Sequence, residues 1–295
     1  MWIGDDAAVV STGSGPRSGP LLLATDLVVA GVHADLALTG IDDLGWKAIA
    51  VNISDLAAMG GRPLDALVSV AGPAGTDLDA LYRGIAEASR EYACPVVGGD
   101  LANAGALVVS VAVIGTTDGE RPVLRSGARP GDHLFVTGPL GAAAAGLREL
   151  RELRAGSGLS GRSGRSANVL AHARPRALLA EGAAARGAGA TAMIDVSDGL
   201  AADLGHVAEQ SGVGAALARG DIPIAPGASF DEAWGGGEDY QLLFAAPDPA
   251  AVARAFAAAR LAPPVHIGSC TNQAAERSLD GLPWPPGGRG WEHTW

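Results

Sequence analysis

Cysteine and long apolar runs are both scarce in this sequence. Cys94 and Cys270 are too few and too far apart for a zinc knuckle or a disulfide framework, which fits a reducing compartment. No apolar run approaches the roughly 20 residues that cross a bilayer, and the N-terminus lacks a basic segment followed by a hydrophobic one. We therefore expect a cytoplasmic protein without a membrane partner.

Positively charged residues are also scarce. Lysine and arginine total 21 against 32 acidic residues, the net charge is −11, and Lys47 is the single lysine. A nucleic-acid surface needs a basic stripe to neutralise phosphates, so we expect no nucleic-acid partner. Acidic clusters can instead hold magnesium that bridges to an anionic nucleotide, with arginine forks as the available phosphate donors.

Hydrophobic residues, by contrast, make up 48% of the 295 residues and charged residues 18%, which is typical of a soluble globular protein with one large core or two domains. Strand-like and helix-like segments alternate along the chain. The Gly, Arg and Pro-rich stretch 116–132 lacks periodicity and marks a boundary. We predict a first domain at 1–118, a linker at 119–131 and a second domain at 132–295.

The stretch from Met193 to Leu200 is the strongest site candidate, because a short apolar run there delivers Asp195, Ser197 and Asp198 into a helical pattern. Their crowded carboxylates call for a cation or a donor-rich ligand. The alternative is a simple helix cap by Ser197 or Asp198. A weaker echo of the motif, Asn52-Ile53-Ser54-Asp55, lies in the predicted helix from Ile41 to Met59 and makes Asp55 a further candidate ligand.

Two acidic segments near the N-terminus offer further candidate ligands for a cation. Asp5 and Asp6 precede an apolar run, and a second run leads into Thr25-Asp26. If the two strands pair antiparallel, Asp6 at a strand start and Asp26 at a strand end converge; the alternative is a solvated turn. His33 follows the run 28–32, and for such a lone histidine a structural role is the competing interpretation.

Glycine-acid clusters recur twice more, at Gly98-Gly99-Asp100 after a short predicted strand and at 235–239 before the apolar run 242–244. Glycines let the backbone approach a bulky ligand, and each acid offers an oxygen to a cation; each cluster alone fits a simple turn equally well. Together they indicate one cleft lined by carboxylates. We also expect a mobile loop at 154–168 and an extended tail at 283–295.

Seven motifs carry a family resemblance over nearly the whole chain: GDDAAVV, ATDLVVAGVH, VNISDLAAMGG, VVGGD, RSGARPGD, IDVSDGLAADL and GGGEDYQLLF. In this order they resemble the thiamine-monophosphate kinase family, which belongs to a superfamily with aminoimidazole ribonucleotide synthetase. The resemblance implies an α/β fold of two synthetase-like domains, with mixed sheets flanked by helices. It also implies a homodimer whose N-terminal domains pair into a barrel.

The resemblance further implies magnesium-dependent transfer of the ATP γ-phosphate to thiamine monophosphate. Because the acceptor phosphate is already nucleophilic, we assign no general base. Several magnesium ions are expected on Asp6, Thr25, Asp26, Asp55, Asp100, Asp195 and Asp198. The residues expected to contact ATP are Tyr82, Gly99, Asp100, Arg125 and Ser197. Those expected to contact thiamine monophosphate are His33, Glu238 and Trp291.

The chain departs from the family pattern in three places. The family carries a longer segment ahead of GDDA, Ala24 stands where relatives often have serine, and the ending is altered to Trp291-Glu292-His293-Thr294-Trp295. Two alternative functions therefore remain. One is another ATP-dependent superfamily enzyme of ligase or dehydratase type, although the reactive cysteines that two such enzymes would need are absent. The other is a metal-nucleotide binding protein that has lost turnover.

Overall fold

Two β-sheets, connected by residues 117–132, organise the chain. The structure is a computed structural model that describes residues 4–11, 19–155 and 165–285. Trp291 and most of the predicted mobile loop lie outside the described residues. We call residues 4–117 the N-terminal half and residues 132–285 the C-terminal half. Within the described residues, no helix is both long and apolar enough to cross a membrane.

The N-terminal half is a five-stranded sheet covered on one face by two helices. Its strands, in the order β1-β2-β5-β3-β4, are β1 (Ala8–Ser11), β2 (Pro20–Val29), β3 (Arg62–Gly72), β4 (Val96–Asn103) and β5 (Val108–Thr116). The helices are α1 (Ile41–Ala58) and α2 (Leu78–Glu91). The predicted antiparallel pairing of β1 with β2 is confirmed.

Helix α1 is the central element of this half. Its first turn is capped by Asp43, which accepts from the Gly40 N–H at 3.0 Å, and its buried Leu44, Ile49 and Ile53 pack into the core. Alternate residues of β3 and β5, such as Val68 and Val111, face the helix and are buried. The opposite face of the sheet carries exposed apolar side chains: Leu23, Leu27, Leu67 and Ile114.

The C-terminal half is a seven-stranded mixed sheet with helices on both faces. Its strands, in the order β12-β11-β8-β10-β6-β9-β7, are β6 (His133–Val136), β7 (Ala192–Asp195), β8 (Gly214–Leu217), β9 (Leu242–Ala246), β10 (Val265–Thr271), β11 (Arg277–Leu279) and β12 (Leu282–Pro283). The helices are α3 (Ala142–Ala155), α4 (Ala167–Ala173), α5 (Leu179–Gly187), α6 (Leu200–Ser211), α7 (Phe230–Gly235) and α8 (Pro249–Ala258).

Two predicted strand ends were wrong. Asp26 was expected where its strand stops, but β2 continues to Val29 because β5 pairs with it along its whole length. A strand was also expected to stop before Gly98-Gly99-Asp100, whereas β4 runs through all three residues. A glycine is needed at Gly99, where φ is +156° and a Cβ would collide with the Val68 carbonyl of β3.

The two halves share apolar packing. Ala57 and Ala58 of α1 join a cluster with Phe135 and Phe244 of the second sheet. In the other direction, Tyr240 packs into the core of the N-terminal half. The elements that meet between the two sheets, at the junction we call the cleft, are therefore fixed in relative position by burial.

Candidate active site

Three buried or half-buried carboxylates converge between the halves. Asp6, Asp55 and Asp195 each place an oxygen within 4.8 Å of the other two. They come from the segment before β1, from α1 and from the end of β7. The sequence-predicted cluster is thus partly assembled by the fold, with two ligands from one half and one from the other.

Asn52 joins α1 to the strand that carries Asp26. The Asp26 N–H donates to Asn52 Oδ1 at 2.9 Å, on the edge of β2 that β1 no longer covers. Asn52 and Asp55 are three residues apart and so share one helix face. This hydrogen bond therefore places Asp26 close to Asp55, in agreement with the charge of Asp26 being one of the causes that raise the pKa of Asp55.

Arg125 ties the N-terminal acids to the connecting segment. Its guanidinium donates to both oxygens of Asp6, at 2.9 and 3.2 Å, and its backbone N–H donates to Asp5 at 2.8 Å. The preceding carbonyl, of Leu124, accepts from Met193 of β7 at 3.0 Å. Arg125 is the cation that the structure places against this carboxylate cluster.

The carboxylates of the cluster are electrostatically unfavourable as they stand. Burial, followed by repulsion from neighbouring carboxylates, raises the pKa of Asp55 and of Asp195 well above the ordinary value, and burial also raises the pKa of Asp6. The pKa of Asp26 is raised by desolvation and by the charges of Asp6 and Asp198. One arginine does not balance these acids. A hard divalent cation with oxygen ligands fits this donor set.

The turn 196–199 is shaped by residues on both sides of it. The alternative interpretation, a simple helix cap by Ser197 or Asp198, is not what the structure shows, because the N-cap residue of α6 is Gly199. Instead, the buried Asp203 accepts from the N–H groups of Asp198 and Gly199, at 3.1 and 3.0 Å. Ser197 and Asp198 are thereby left half-buried at the cleft.

A second loop packs directly on this turn. The N–H of Glu238 donates to Ser197 O at 2.8 Å and that of Tyr240 donates to Val196 O at 2.9 Å. A Cβ at Gly237 would collide with the Ser197 carbonyl, so glycine is required for this approach. Glu238 and Tyr240 both adopt left-handed backbone conformations, with φ of 66° and 51°. The loop thus brings Glu238 to the cleft.

Glu238 and His33 are joined by a residue that the sequence did not single out as a site. Lys47 Nζ donates to Glu238 Oε1 at 2.9 Å and to the His33 carbonyl at 3.2 Å. His172 Nδ1 lies 3.3 Å from the other carboxylate oxygen of Glu238. The structure therefore brings the two predicted acceptor-side residues together through Lys47.

Four other residues near the site were also missed: Asn52, Ser54, Tyr240 and Asp203. Tyr240 is buried, and burial together with the charges of Glu238 and Asp195 raises the pKa of its phenol. Only Ser54 carried a usable signal, since it stands in the Ser-Asp echo. The others depend on contacts between distant parts of the chain.

Three predicted residues lie away from the carboxylate cluster. Gly99 occupies the same row of the sheet as Asp26, through Val68 and Val111, so three strand spacings of about 4.8 Å separate them. Asp100 is exposed on the same edge strand, and Tyr82 packs on the side of the core formed by α2. Thr25 neighbours Asp26, but its hydroxyl donates to the Val111 carbonyl at 2.9 Å.

Comparison with known proteins gives matches over both halves of the chain. Residues 4–117 match the model for the AIR synthase related protein, N-terminal domain, and residues 129–280 match that for its C-terminal domain. The thiamine-monophosphate kinase of Mycobacterium tuberculosis (strain ATCC 25618 / H37Rv) is 40% identical over 263 residues, covering 84% of this chain and 75% of that protein. The chain belongs to the thiamine-monophosphate kinase family.

Further members of the thiamine-monophosphate kinase family support the assignment. That of Aquifex aeolicus (strain VF5) is 38% identical over 258 residues, covering 83% of this chain and 80% of the relative. The solved structure of AaThiL complexed with AMPPCP and TMP has a TM-score of 0.84 and 34% identity, covering 100% of this chain and 92% of that one. The fold predicted from the family resemblance, two synthetase-like α/β halves, is confirmed.

Proposed function

We propose that this protein transfers the γ-phosphate of ATP to the phosphate of thiamine monophosphate, giving thiamine diphosphate and ADP. The observation that carries the proposal is the convergence of Asp6, Asp55 and Asp195 between two halves that match the AIR synthase related domains, in a chain 40% identical to a thiamine-monophosphate kinase. A related structure holds an ATP analogue together with TMP. We assign residues 1–118 and 132–295 to two domains joined by residues 119–131.

Magnesium held by the carboxylates would neutralise the phosphate oxygens of donor and acceptor, which otherwise repel each other. We assign this role to Asp6, Asp26, Asp55, Asp195 and Asp198 in the cleft, and to Asp100 and Thr25 on the sheet. Arg125, which is fixed by its bonds to Asp6, adds positive charge for the ATP phosphates, and we assign Ser197 on the turn after β7 to ATP as well. The acceptor phosphate is itself nucleophilic, so these residues align and screen charge, and no phosphoenzyme or general base is required.

On the acceptor side, we assign His33 and Glu238 to thiamine monophosphate because Lys47 donates both to the Glu238 carboxylate and to the His33 backbone carbonyl. Trp291 is assigned to stacking on the cationic thiazolium ring from its sequence position alone. A tryptophan face attracts a cation by about 0.5–2 kcal/mol, so Trp291→Ala should raise the KM for thiamine monophosphate by about two- to thirtyfold and leave that for ATP unchanged.

We also propose a homodimer built on the open face of the first sheet. Leu27 and Leu67 on this face are 55% and 48% exposed, and Val97 and Leu101 on the edge strand β4 are 62% and 57% exposed. Exposed apolar side chains on the open face and on the edge strand are typical of a contact between subunits. Gly99 and Asp100 lie on the same edge strand. The test is the mass measured by light scattering for wild type and for Leu67→Asp.

The decisive experiment is a coupled ADP-release assay with magnesium and ATP, in the presence and absence of thiamine monophosphate. A kinase releases ADP only with thiamine monophosphate and forms thiamine diphosphate in equal amount. ADP release without thiamine diphosphate would indicate another ATP-dependent superfamily activity. ATP binding without any ADP release would indicate a nucleotide-binding protein, and either result would contradict the proposal.

A further inference from the structure

Lys47 is the single lysine of the chain, and its side chain is only 3% exposed. A buried ammonium is stable only when its charge is paired and its N–H groups have acceptors. The structure supplies Glu238 Oε1 at 2.9 Å and the carbonyl of His33 at 3.2 Å. These acceptors belong to opposite halves of the protein, so Lys47 bridges two segments that are far apart in sequence.

Glu238 is fixed through both its carboxylate and its backbone. Its second carboxylate oxygen lies 3.3 Å from His172 Nδ1, and its backbone N–H is bonded to Ser197 O at 2.8 Å. Burial alone would raise the pKa of Glu238, but Lys47 and His172 hold it at about 2. The carboxylate is therefore ionised at neutral pH, and Lys47 already offsets its charge before any substrate arrives.

His33 is oriented by its own turn and by Lys47. Its ring Nδ1 accepts from the Val29 N–H at 3.1 Å, and its backbone N–H donates to Val29 O at 2.9 Å. The neighbouring Gly31 and Val32 are exposed, so little packing holds this turn against the cleft. The bond from Lys47 to the His33 carbonyl connects the turn to α1.

We propose that Lys47 is a positioning residue for the acceptor half of the site, setting the distance between His33 and Glu238 into which a phosphate-bearing acceptor fits. This inference rests on the proposed function, because that function places the acceptor between these two residues. Lys47 acts through both of them. The carboxylate that faces a cationic acceptor is thus kept in one place by a charge from the opposite half.

The test compares Lys47→Met and Lys47→Arg in the full chain with wild type. Loss of a buried charge-assisted hydrogen bond should raise the KM for thiamine monophosphate by about ten- to a hundredfold, while the KM for ATP changes by less than about twofold. Lys47→Arg keeps the charge and should recover part of the loss. A lysine that serves only folding would not produce this separation of the two KM values.

Two further variants keep the test interpretable. Lys47→Met leaves Glu238 buried without its cation, so Lys47→Met/Glu238→Gln removes both charges and should restore the thermal unfolding temperature without restoring the KM for thiamine monophosphate. The matched control is Trp46→Phe on the same helix. It removes the bond from Trp46 Nε1 to Pro175 O, which also joins the two halves, and touches neither His33 nor Glu238.

Three outcomes decide between the possibilities. A selective rise in the KM for thiamine monophosphate in Lys47→Met, absent in Trp46→Phe, supports the inference. An unchanged KM, or equal rises for both substrates in Lys47→Met and Trp46→Phe alike, overturns it. If wild type shows no turnover with thiamine monophosphate, the proposed function fails. Calorimetry with thiamine monophosphate then tests the positioning role of Lys47 by itself. Equal binding to wild type and Lys47→Met, or no binding to either, overturns the positioning role.

Discussion

Ser54 donates its hydroxyl to Oδ2 of Asp195 at 2.5 Å, from α1 of one half to the end of β7 in the other. The two Ser-Asp motifs that resemble each other in sequence therefore meet in space. Asp55, the next residue after Ser54, joins the same carboxylate cluster. Stability and ligand binding are consequently opposed at this point, since the charges that suit a cation repel each other without one.

Asp55→Asn should stabilise the metal-free protein and abolish its activity. Burial and repulsion raise the pKa of Asp55 well above its usual range, so the neutral amide relieves an unfavourable charge. Each kcal/mol relieved is worth roughly 2–4 °C in unfolding temperature. ADP release that depends on thiamine monophosphate should fall by more than about 100-fold, because mutating even a residue that only hydrogen-bonds to a metal ligand lowers activity by about 10- to 100-fold.

Scanning calorimetry in chelator and the ADP-release assay check this prediction. Asp65→Asn is the control, since Asp65 is a half-buried aspartate of β3 outside the cluster. An unfolding temperature that falls in Asp55→Asn would show that the carboxylate stabilises the empty fold.

The metal-free protein should become more stable as the pH falls from about 8 to about 5. The pKa values of Asp55 and Asp195 are raised in the folded state above the ordinary 3.8, so the folded state binds protons more tightly than the unfolded state does. By linkage, their destabilisation of the folded state is complete above the folded pKa values, begins to diminish as the pH falls through them, and is gone only near the unfolded value of 3.8. Urea midpoints measured from about pH 8 to about pH 5 in chelator should rise, and magnesium with ATP should flatten the trend. A midpoint independent of pH would contradict the assignment.

Glu238 should affect acid stability with the opposite sign. The folded pKa of Glu238, about 2, lies below the ordinary 4.5. Its contribution to the free energy of unfolding is therefore complete above pH 4.5 and is lost as the pH falls toward the folded pKa. That difference corresponds to about 3 kcal/mol of unfolding free energy. Wild type should therefore lose about that much more stability than Glu238→Gln between about pH 5 and about pH 2. Parallel losses in the two proteins would show that the Lys47 and His172 contacts add no net stability.

Both cysteines should be unreactive in the native protein. Cys94 and Cys270 are buried free thiols, and burial raises their pKa values to about 11 and about 12. Since the thiolate is the reactive form, an aromatic disulfide reagent at about pH 8 should label neither thiol until denaturant is added. Rapid labelling of one cysteine in the native state would show that its surroundings open locally.

The sequence predicted the acids of the cleft because local patterns mark them. Asp195 and Asp198 stand where an apolar strand meets a helix, and that placement follows from the chain within a dozen residues. The extent of β2 and β4 was misjudged, because glycines and acids inside a strand look like its end unless the neighbouring strand is known. Lys47 and His172 carry no local signature for their roles, since their partner Glu238 is brought to them only by the packing of the two halves.

The insertion of Tyr240 and Ala177 into the core of the N-terminal half has a consequence for biosynthesis. The residues of the first sheet leave the ribosome long before Tyr240 is synthesised, so part of the apolar core of this half lacks its packing partners during translation. Cotranslational folding of this half should therefore remain incomplete until nearly the whole polypeptide has emerged. Expression of the two halves from separate genes would then yield a folded product only when both are made together.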